Sequence, residues 1–239
     1  MREYENQSLI DTVLSTFAPV HRDGHKFIGL GALVTLLLFL LWAPLGWLAA
    51  LITAFIAYFF RDPDRATPLR PGLVVAPADG RIVAVGPRKP LKELGLGEEP
   101  MTCVSIFLSM FDVHINRAPL AGRVAAKVYT PGVFFNAASE AASQDNERMA
   151  LRIEAATGEA VGVVQIAGLV ARRIVTFPAE GDMVAAGERI GLIRFGSRVD
   201  VYLPLNRGVL AAVGQRCVGG ETVLADFQSA ETGREVRVS

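Results

Sequence analysis

The distribution of apolar and polar positions divides the chain into three segments. Residues 27–60 carry no charge, and this run is longer than the roughly 20 apolar residues that span a bilayer. Proline and glycine interrupt it at residues 43–46. The pattern predicts a membrane-inserted segment, either as a tight helical hairpin, which we favour, or as one kinked and strongly tilted helix.

Residues 1–26, before the apolar run, are predicted to form an amphipathic helix that lies at the membrane interface or packs on the soluble domain. A cleaved signal peptide is not expected, because the apolar run starts late and no small-residue cleavage site follows it. Basic residues flank both ends of the run, which favours a cytoplasmic location for both ends. They are Arg22 and Lys26 before it, and Arg61, Arg65 and Arg70 after it.

Residues 61–239 have a different character, with short Val- and Ile-rich runs separated by turn residues. This pattern is typical of antiparallel strands, so we predict a mainly β fold, a compact sandwich or barrel. The best helix candidate inside it covers residues 137–148, although residues 136–146 are equally compatible with an ordered loop.

Two stretches in this domain share one pattern of glycines and apolar positions: "GDMVAAGERIGLI" from Gly181 and "GQRCVGGETVLAD" from Gly214. Each resembles the hairpin of lipoyl and biotinyl carrier domains. Carrier domains hold their cofactor on a lysine at the turn, and neither stretch has one. We therefore expect carrier-like hairpins with a different function.

Composition excludes several classes of function. The net charge is zero, and no basic cluster predicts nucleic-acid binding. The two cysteines, Cys103 and Cys217, lie in apolar runs without metal-ligand spacing. They are predicted to be buried thiols, with neither a disulfide framework nor a metal site.

Few residues offer catalytic chemistry. Of three histidines, His21 and His25 lie at the membrane boundary and are interpreted as solvated, whereas His114 follows an apolar strand among polar residues. Asp79 lies in a Pro-x-Asp-Gly turn, and Ser197 belongs to the only Gly-Ser pair in the chain. Each alone is compatible with a structural role. Together they supply a nucleophile, a base and a carboxylate that orients the base. No Gly-x-Ser-x-Gly motif is present, which excludes an α/β-hydrolase.

Five motifs in order give these residues a common context: "PADGRIVAVG", "FLSMFDVHINRAPLAGRV", "NER", "QIAGLVARRI" and "RFGSRVDVYLP". Over nearly the whole chain they resemble the short form of phosphatidylserine decarboxylase, a pyruvoyl enzyme. The resemblance implies decarboxylation of phosphatidylserine to phosphatidylethanolamine and CO2, through a Schiff base between the substrate amine and a pyruvoyl group.

The same resemblance implies that the cofactor comes from the chain itself. The Ser197 hydroxyl would attack the Gly196 carbonyl, and β-elimination would then cut the chain into a β chain of residues 1–196 and an α chain of residues 197–239. Ser197 would become dehydroalanine and then the pyruvoyl group. His114 would be the base and Asp79 its orienting partner.

The sequence departs from the longer relatives in two places. They typically carry Leu-Gly-Ser-Thr at the cut, where this chain has Phe195 and Arg198, and a second histidine where it has Arg117. Arg117 would bind the lipid phosphate or substrate carboxylate, or else be a surface cation covering the sheet. Phe134 and Phe135 are interpreted as lipid contacts or as a core aromatic pair.

Two other functions remain open from the sequence. One is a pyruvoyl decarboxylase of another serine-headed lipid or of an amino acid, and the other is a non-catalytic, membrane-tethered β module. The expected partners are phosphatidylserine in the membrane and the two chains of one precursor, with a homodimer implied by the resemblance alone.

Overall fold

The computed structural model describes residues 18–132, 146–168, 173–194, 197–205, 207–229 and 231. The chain divides into two compact units, residues 1–64 and residues 65–239. The amphipathic helix expected before the apolar segment falls mostly on residues 1–17, outside the described residues.

The described part of the first unit forms two helices, α1 (Arg22–Leu41) and α2 (Ala43–Phe59). They are separated at Trp42, whose backbone is extended with φ −163° and ψ 117°. The break thus comes just before the predicted 43–46, because Pro44 lies in the first turn of α2, where its missing N–H is not needed. The helices pack on each other, with Thr35 Oγ1 lying 3.3 Å from Thr53 Oγ1.

Among the described residues, one helix is long and apolar enough to cross a membrane. This is α1, with 20 residues and a mean hydropathy of 1.9 over its most apolar stretch. Most of its leucines are exposed, which is the arrangement expected of a surface that contacts lipid.

The second unit contains fourteen strands within its described residues. They are β1 (Leu73–Val75), β2 (Gly80–Arg88), β3 (Met101–Leu108), β4 (Ile115–Arg117), β5 (Gly122–Thr130), β6 (Arg148–Glu154), β7 (Ala160–Ala167), β8 (Ile174–Thr176), β9 (Met183–Val184), β10 (Arg189–Ile193), β11 (Ser197–Leu203), β12 (Gly208–Val209), β13 (Arg216–Cys217) and β14 (Val223–Asp226).

The described strands form three antiparallel sheets, which confirms the predicted mainly β fold. The longest has the order β13-β2-β3-β11-β7-β6-β5-β9, and the shorter ones have the orders β4-β10-β8 and β1-β14-β12. The main hydrophobic core includes Val199 and Val201 of β11. Tyr202 of the same strand belongs to a smaller cluster with Leu94 of the 3-10 helix Lys92–Leu94. Successive residues of β11 therefore face two different cores.

The short Val- and Ile-rich runs each contain a strand, and β9 and β13 lie in the two glycine-rich stretches, but β4 and β12 were not expected. They have three and two residues, too short for an alternating pattern to reveal. The helix candidate at residues 137–148 lies largely outside the described residues. At its end the prediction is wrong, because Arg148 begins β6 and continues an antiparallel pairing with β7.

The two glycine-rich stretches share the same turns, but the prediction of hairpins is wrong, because the strands on either side of each turn join different sheets: β9 pairs with β5 and β10 with β4 and β8, while β13 pairs with β2 and β14 with β1 and β12. Gly181 and Gly214 have φ of 96° and 88°, and Gly187 and Gly220 have φ of 76° and 82°. These are left-handed conformations that glycine adopts without strain. The two stretches thus use the same turn geometry at equivalent positions.

A second repeat was missed in the sequence: residues 76–81 read APADGR and residues 118–123 read APLAGR. The first residue of each segment accepts a backbone hydrogen bond from one of the two glycine-rich stretches. The Gly220 N–H donates to the Ala76 carbonyl at 2.7 Å, and the Gly187 N–H donates to the Ala118 carbonyl at 2.8 Å. The sheet therefore has two similar halves, one entered at β2 and the other at β5.

The halves differ in their chemistry. Asp79 in the first repeat corresponds to Ala121 in the second. Ala121 lines a cavity of about 400 Å³ whose walls are mostly apolar, including Leu73, Leu120 and Phe227. Only the first repeat carries a carboxylate at this turn.

Gly80 offers a test of how strictly the turn before β2 is constrained. Its φ is 151°, and an added Cβ would lie 2.2 Å from the Phe107 carbonyl oxygen. We expect Gly80→Ala to lower the free energy of unfolding by about 2–4 kcal/mol, from backbone strain and overpacking.

Gly86→Ala in the same strand is the control, since a Cβ there meets no atom of the described residues within 4 Å. It should change stability by less than about 1 kcal/mol. The measurement is denaturant unfolding of the full chain in detergent, with Ser197→Ala in both proteins so that uncleaved chains are compared. Equal losses for the two variants would contradict the constraint.

Candidate active site

One end of the eight-stranded sheet brings the sequence motifs together. Ser197, the first residue of β11, is paired with Leu108 at the end of β3 and with Ala167 at the end of β7. Gly80 begins β2, whose next residue pairs with Phe107. Because neighbouring strands are antiparallel, the beginnings of β2 and β11 lie at the same end of the sheet as the ends of β3 and β7. Asp79 and Ser197 therefore belong to the same end of the sheet.

His114 lies in the connection between β3 and β4, and it is buried with 2% of its surface exposed. Its Nδ1 lies 2.9 Å from the Asp112 carbonyl oxygen. A carbonyl only accepts, so Nδ1 carries the proton and the lone pair of the neutral ring is on Nε2. The His114 carbonyl accepts from the Ile193 N–H at 3.3 Å, which holds His114 against the segment leading to Ser197.

Ser197 is completely buried, and its Oγ has no hydrogen-bond partner among the described residues. A buried hydroxyl without a partner costs about 1–3 kcal/mol, and no group of the described residues offsets this cost for Ser197 Oγ. Phe195 and Gly196 lie outside the described residues, and the expected cleavage bond is described from its Ser197 side alone.

Asp79 is held by two groups distant in the sequence. Its Oδ1 accepts from the Gly219 N–H at 2.7 Å, and its Oδ2 accepts from Arg65 Nη2 at 2.8 Å. The Arg65 and Asp79 side chains are 15% and 16% exposed, so this ion pair is partly shielded from water. Sequence reasoning treated Arg65 as a membrane-flanking cation and did not predict this contact. The residues between them contain no signal that would have revealed it.

Arg117 is buried, with 6% of its surface exposed, so the alternative of a surface cation is wrong. Its Nη1 donates to the Gly187 carbonyl at 2.9 Å, and this bond connects β4 to the glycine-rich stretch that begins at Gly181. The predicted contact of Arg117 with substrate stays a prediction. The other two predicted substrate contacts, Phe134 and Phe135, lie outside the described residues.

Side-chain hydrogen bonds join β4, the strand that follows His114, to β7 and β8. Gln165 Nε2 donates to Asn116 Oδ1 at 2.7 Å, and Thr176 Oγ1 donates to Gln165 Oε1 at 3.1 Å. Asn146 Nδ2 donates to the Ala167 carbonyl at 2.7 Å, opposite Ser197 in the sheet. These bonds fix the loop that carries His114 relative to the strand that carries Ser197.

A buried ion pair lies directly after Ser197. Arg198 Nε and Nη2 donate to the two Asp200 oxygens at 2.6 and 2.7 Å, and Arg88 Nη1 donates to Asp200 Oδ2 at 3.2 Å. Burial alone would lower the pKa of Arg198, but the hydrogen bonds and charge of Asp200 outweigh it and raise that pKa. Opposite charges two residues apart in a strand share one face, so the sequence contained a signal for this pair that was missed.

The cysteines are buried free thiols, as predicted. Burial raises the pKa of both thiols to about 12. A nearby negative charge adds to this effect, that of Asp200 for Cys103 and that of Asp79 for Cys217. Both thiols are therefore protonated near neutral pH and are poor nucleophiles. Across the described ranges, no group of three or more His, Cys, Asp or Glu residues could hold a metal ion.

Comparison with known proteins supports the resemblance seen in the motifs. The family model for phosphatidylserine decarboxylase matches residues 52–225. A phosphatidylserine decarboxylase proenzyme of Nitrobacter winogradskyi is 54% identical over 228 residues, covering 95% of this chain and 92% of the relative. One of Cereibacter sphaeroides is 56% identical over 223 residues, covering 93% and 96%. This chain, with Ser197, His114 and the Asp79 turn gathered at one end of its sheet, belongs to the phosphatidylserine decarboxylase family.

Proposed function

We propose that this chain is a proenzyme that cuts itself between residues 196 and 197 and then decarboxylates phosphatidylserine to phosphatidylethanolamine and CO2. The observation that carries the proposal is the buried Ser197 hydroxyl, which has no hydrogen-bond partner among the described residues and begins a strand beside the His114 connection. Membership of the family and the proenzyme names of the two relatives support it.

Self-cleavage needs only groups of this chain and one water. Ser197 Oγ attacks the Gly196 carbonyl carbon while His114 Nε2 takes the hydroxyl proton and passes it to the departing amide nitrogen, so an ester replaces the peptide bond. Removal of the Ser197 Cα proton then expels the Gly196 carboxylate and leaves dehydroalanine. Water adds to its imine tautomer, ammonia departs, and residue 197 becomes a pyruvoyl group.

Two backbone groups and one cation prepare this step. The Asp112 carbonyl holds the His114 proton on Nδ1, which leaves Nε2 as the basic nitrogen. Asp79 would balance the positive charge that His114 gains, as the carboxylate of a catalytic triad does. Arg65 and the Gly219 N–H keep the Asp79 carboxylate in one orientation.

The pyruvoyl carbonyl would supply the electron-accepting group that loss of CO2 from an α-amino acid requires. Ser197 fits this role because its completely buried position shields the group from water. His114, also buried, is the residue that we propose returns a proton to the α-carbon.

The apolar helices suit a lipid substrate. Exposed leucines on α1 and α2 would keep the enzyme at the bilayer, where phosphatidylserine is concentrated. We propose the cytoplasmic face, because basic residues flank both ends of the apolar segment.

Fragment masses test self-cleavage directly. On a denaturing gel and by mass spectrometry, we expect the purified protein to give residues 1–196 and a blocked, pyruvoyl-ended fragment of residues 197–239. Ser197→Ala removes the attacking oxygen and should leave one chain. Ser105→Ala is the matched control, because Ser105 is also completely buried in the sheet, and this variant should be cut normally. An intact unaltered chain would refute the proposal.

The base and the carboxylate proposed to balance its charge are tested by cleavage kinetics. His114→Ala and Asp79→Asn should each slow cleavage by about 100-fold or more, since a positioned base contributes about 10²–10⁴-fold. Asp226→Asn is the control, because Asp226 also pairs with an arginine, Arg70, but lies outside this end of the sheet. Normal cleavage of His114→Ala would remove His114 from the role of base.

The substrate is tested by CO2 release. Phosphatidylserine vesicles and free serine are compared at equal serine concentration, with Ser197→Ala as the background. Because the enzyme and lipid share one surface, we expect the vesicles to react on the order of 100-fold faster. Equal rates would argue for a decarboxylase of a soluble amino acid.

A further inference from the structure

We propose that the buried Arg198–Asp200 ion pair holds the cut end of the α chain in the sheet, so that residue 197 stays in place after cleavage. This inference rests on the proposed self-cleavage and adds to it a role that begins only after the cut. Arg198 is a positioning residue in this scheme, acting through the backbone of β11.

The cut changes what restrains residue 197. In the precursor, chain on both sides holds Ser197, which also pairs with Leu108 and Ala167. After the cut it is the first residue of a chain, and chain ends fray unless they are tied down. A frayed end would move the reacting group, and misplacement by about 1 Å can cost 100-fold in rate.

The geometry of the pair suits such a restraint. Two Arg198 nitrogens, Nε and Nη2, bond to Asp200, at 2.6 and 2.7 Å, and the side chains are only 2% and 1% exposed. A planar two-bond contact fixes orientation as well as distance. Because Arg198 is the next residue after the cut, its bond to Asp200 ties the new end to a residue further along β11, which the sheet holds through its pairing with Ser105 and Val164.

The ion pair also lies on the opposite face of β11 from Ser197. Val199 and Val201 belong to the main core, whereas Tyr202 belongs to the cluster on the other face. By strand alternation, Ser197 shares the first face and Arg198 and Asp200 share the second. The anchor therefore restrains the backbone without occupying space beside Ser197.

Net stability is a poor explanation for the pair. Buried ion pairs are often no better than well-packed apolar residues of similar volume, because both charges lose their hydration. A second cation, Arg88 of β2, also bonds to Asp200 at 3.2 Å, so Asp200 keeps a partner when Arg198 is replaced. This makes Arg88 a matched control for the position of the charge.

The test compares Arg198→Met with Arg88→Met, since each removes one cation from Asp200. Both should still be cut. We expect kcat per pyruvoyl group to fall about tenfold for Arg198→Met, with KM unchanged, and to change less than roughly twofold for Arg88→Met. Arg198→Lys keeps the charge but loses the two-bond geometry, so its kcat should lie between.

Hydrogen exchange separates anchoring from general destabilisation. Exchange of the α-chain amides in residues 199–201 is measured with and without Ser197→Ala, which keeps the chain uncut. Arg198→Met should speed exchange in the cut protein by a larger factor than in the uncut one. A merely structural role would raise exchange equally in both.

Several outcomes would overturn the proposal: unchanged kcat in Arg198→Met, the same loss in Arg88→Met, equal exchange in cut and uncut chains, or a folded Arg198→Met that is not cut. If Arg198→Met does not fold, Arg198→Lys decides by the same measurements. Failure of the unaltered chain to cut would instead overturn the proposed function on which this inference rests.

Discussion

The arrangement of the site depends on the placement of β11 inside the longest sheet. This strand is paired on both sides along almost its whole length, with β3 and with β7, and all seven of its residues are buried. A strand in that position cannot slip by one residue, because every side chain would then exchange faces. Ser197 is fixed by this register, and the His114 connection is fixed beside it through the Ile193 N–H.

Burial has opposite consequences on the two faces of that strand. On one face it leaves the Ser197 hydroxyl with no partner among the described residues, which is a cost that a reactive group can justify. On the other it surrounds the Asp200 carboxylate, which accepts from Arg198 and Arg88. Charges at this depth are tolerated because they are paired. One strand would thus separate the proposed reaction from the proposed restraint by alternation.

The sequence predicted the long strands well, because Val- and Ile-rich runs bounded by turn residues, as in Met101–Leu108 and Gly80–Arg88, are a strong signal. It singled out Ser197, His114 and Asp79 through the order of the motifs in the chain, and their catalytic roles stay predictions. It could not predict that Arg65 bonds to Asp79, because that contact is made by the fold, or that the Asp112 carbonyl orients His114, because that contact depends on the exact backbone conformation of the loop. The break at Trp42 depended on how a helix tolerates Pro44, which the composition of residues 43–46 could not locate to one residue.

Because β11 lies in the middle of the longest sheet, the proposed cut would also change how the protein refolds. The small chain would carry β11 to β14, and these strands pair with β2, β3, β7 and β1 of the large chain. The mature enzyme would then be two interleaved polypeptides with no covalent link among these strands. Once separated, they would have to meet again before folding, so recovery becomes second order and dependent on concentration. The precursor would refold as one molecule, and the proposed maturation would give up that ability in forming the cofactor from the chain.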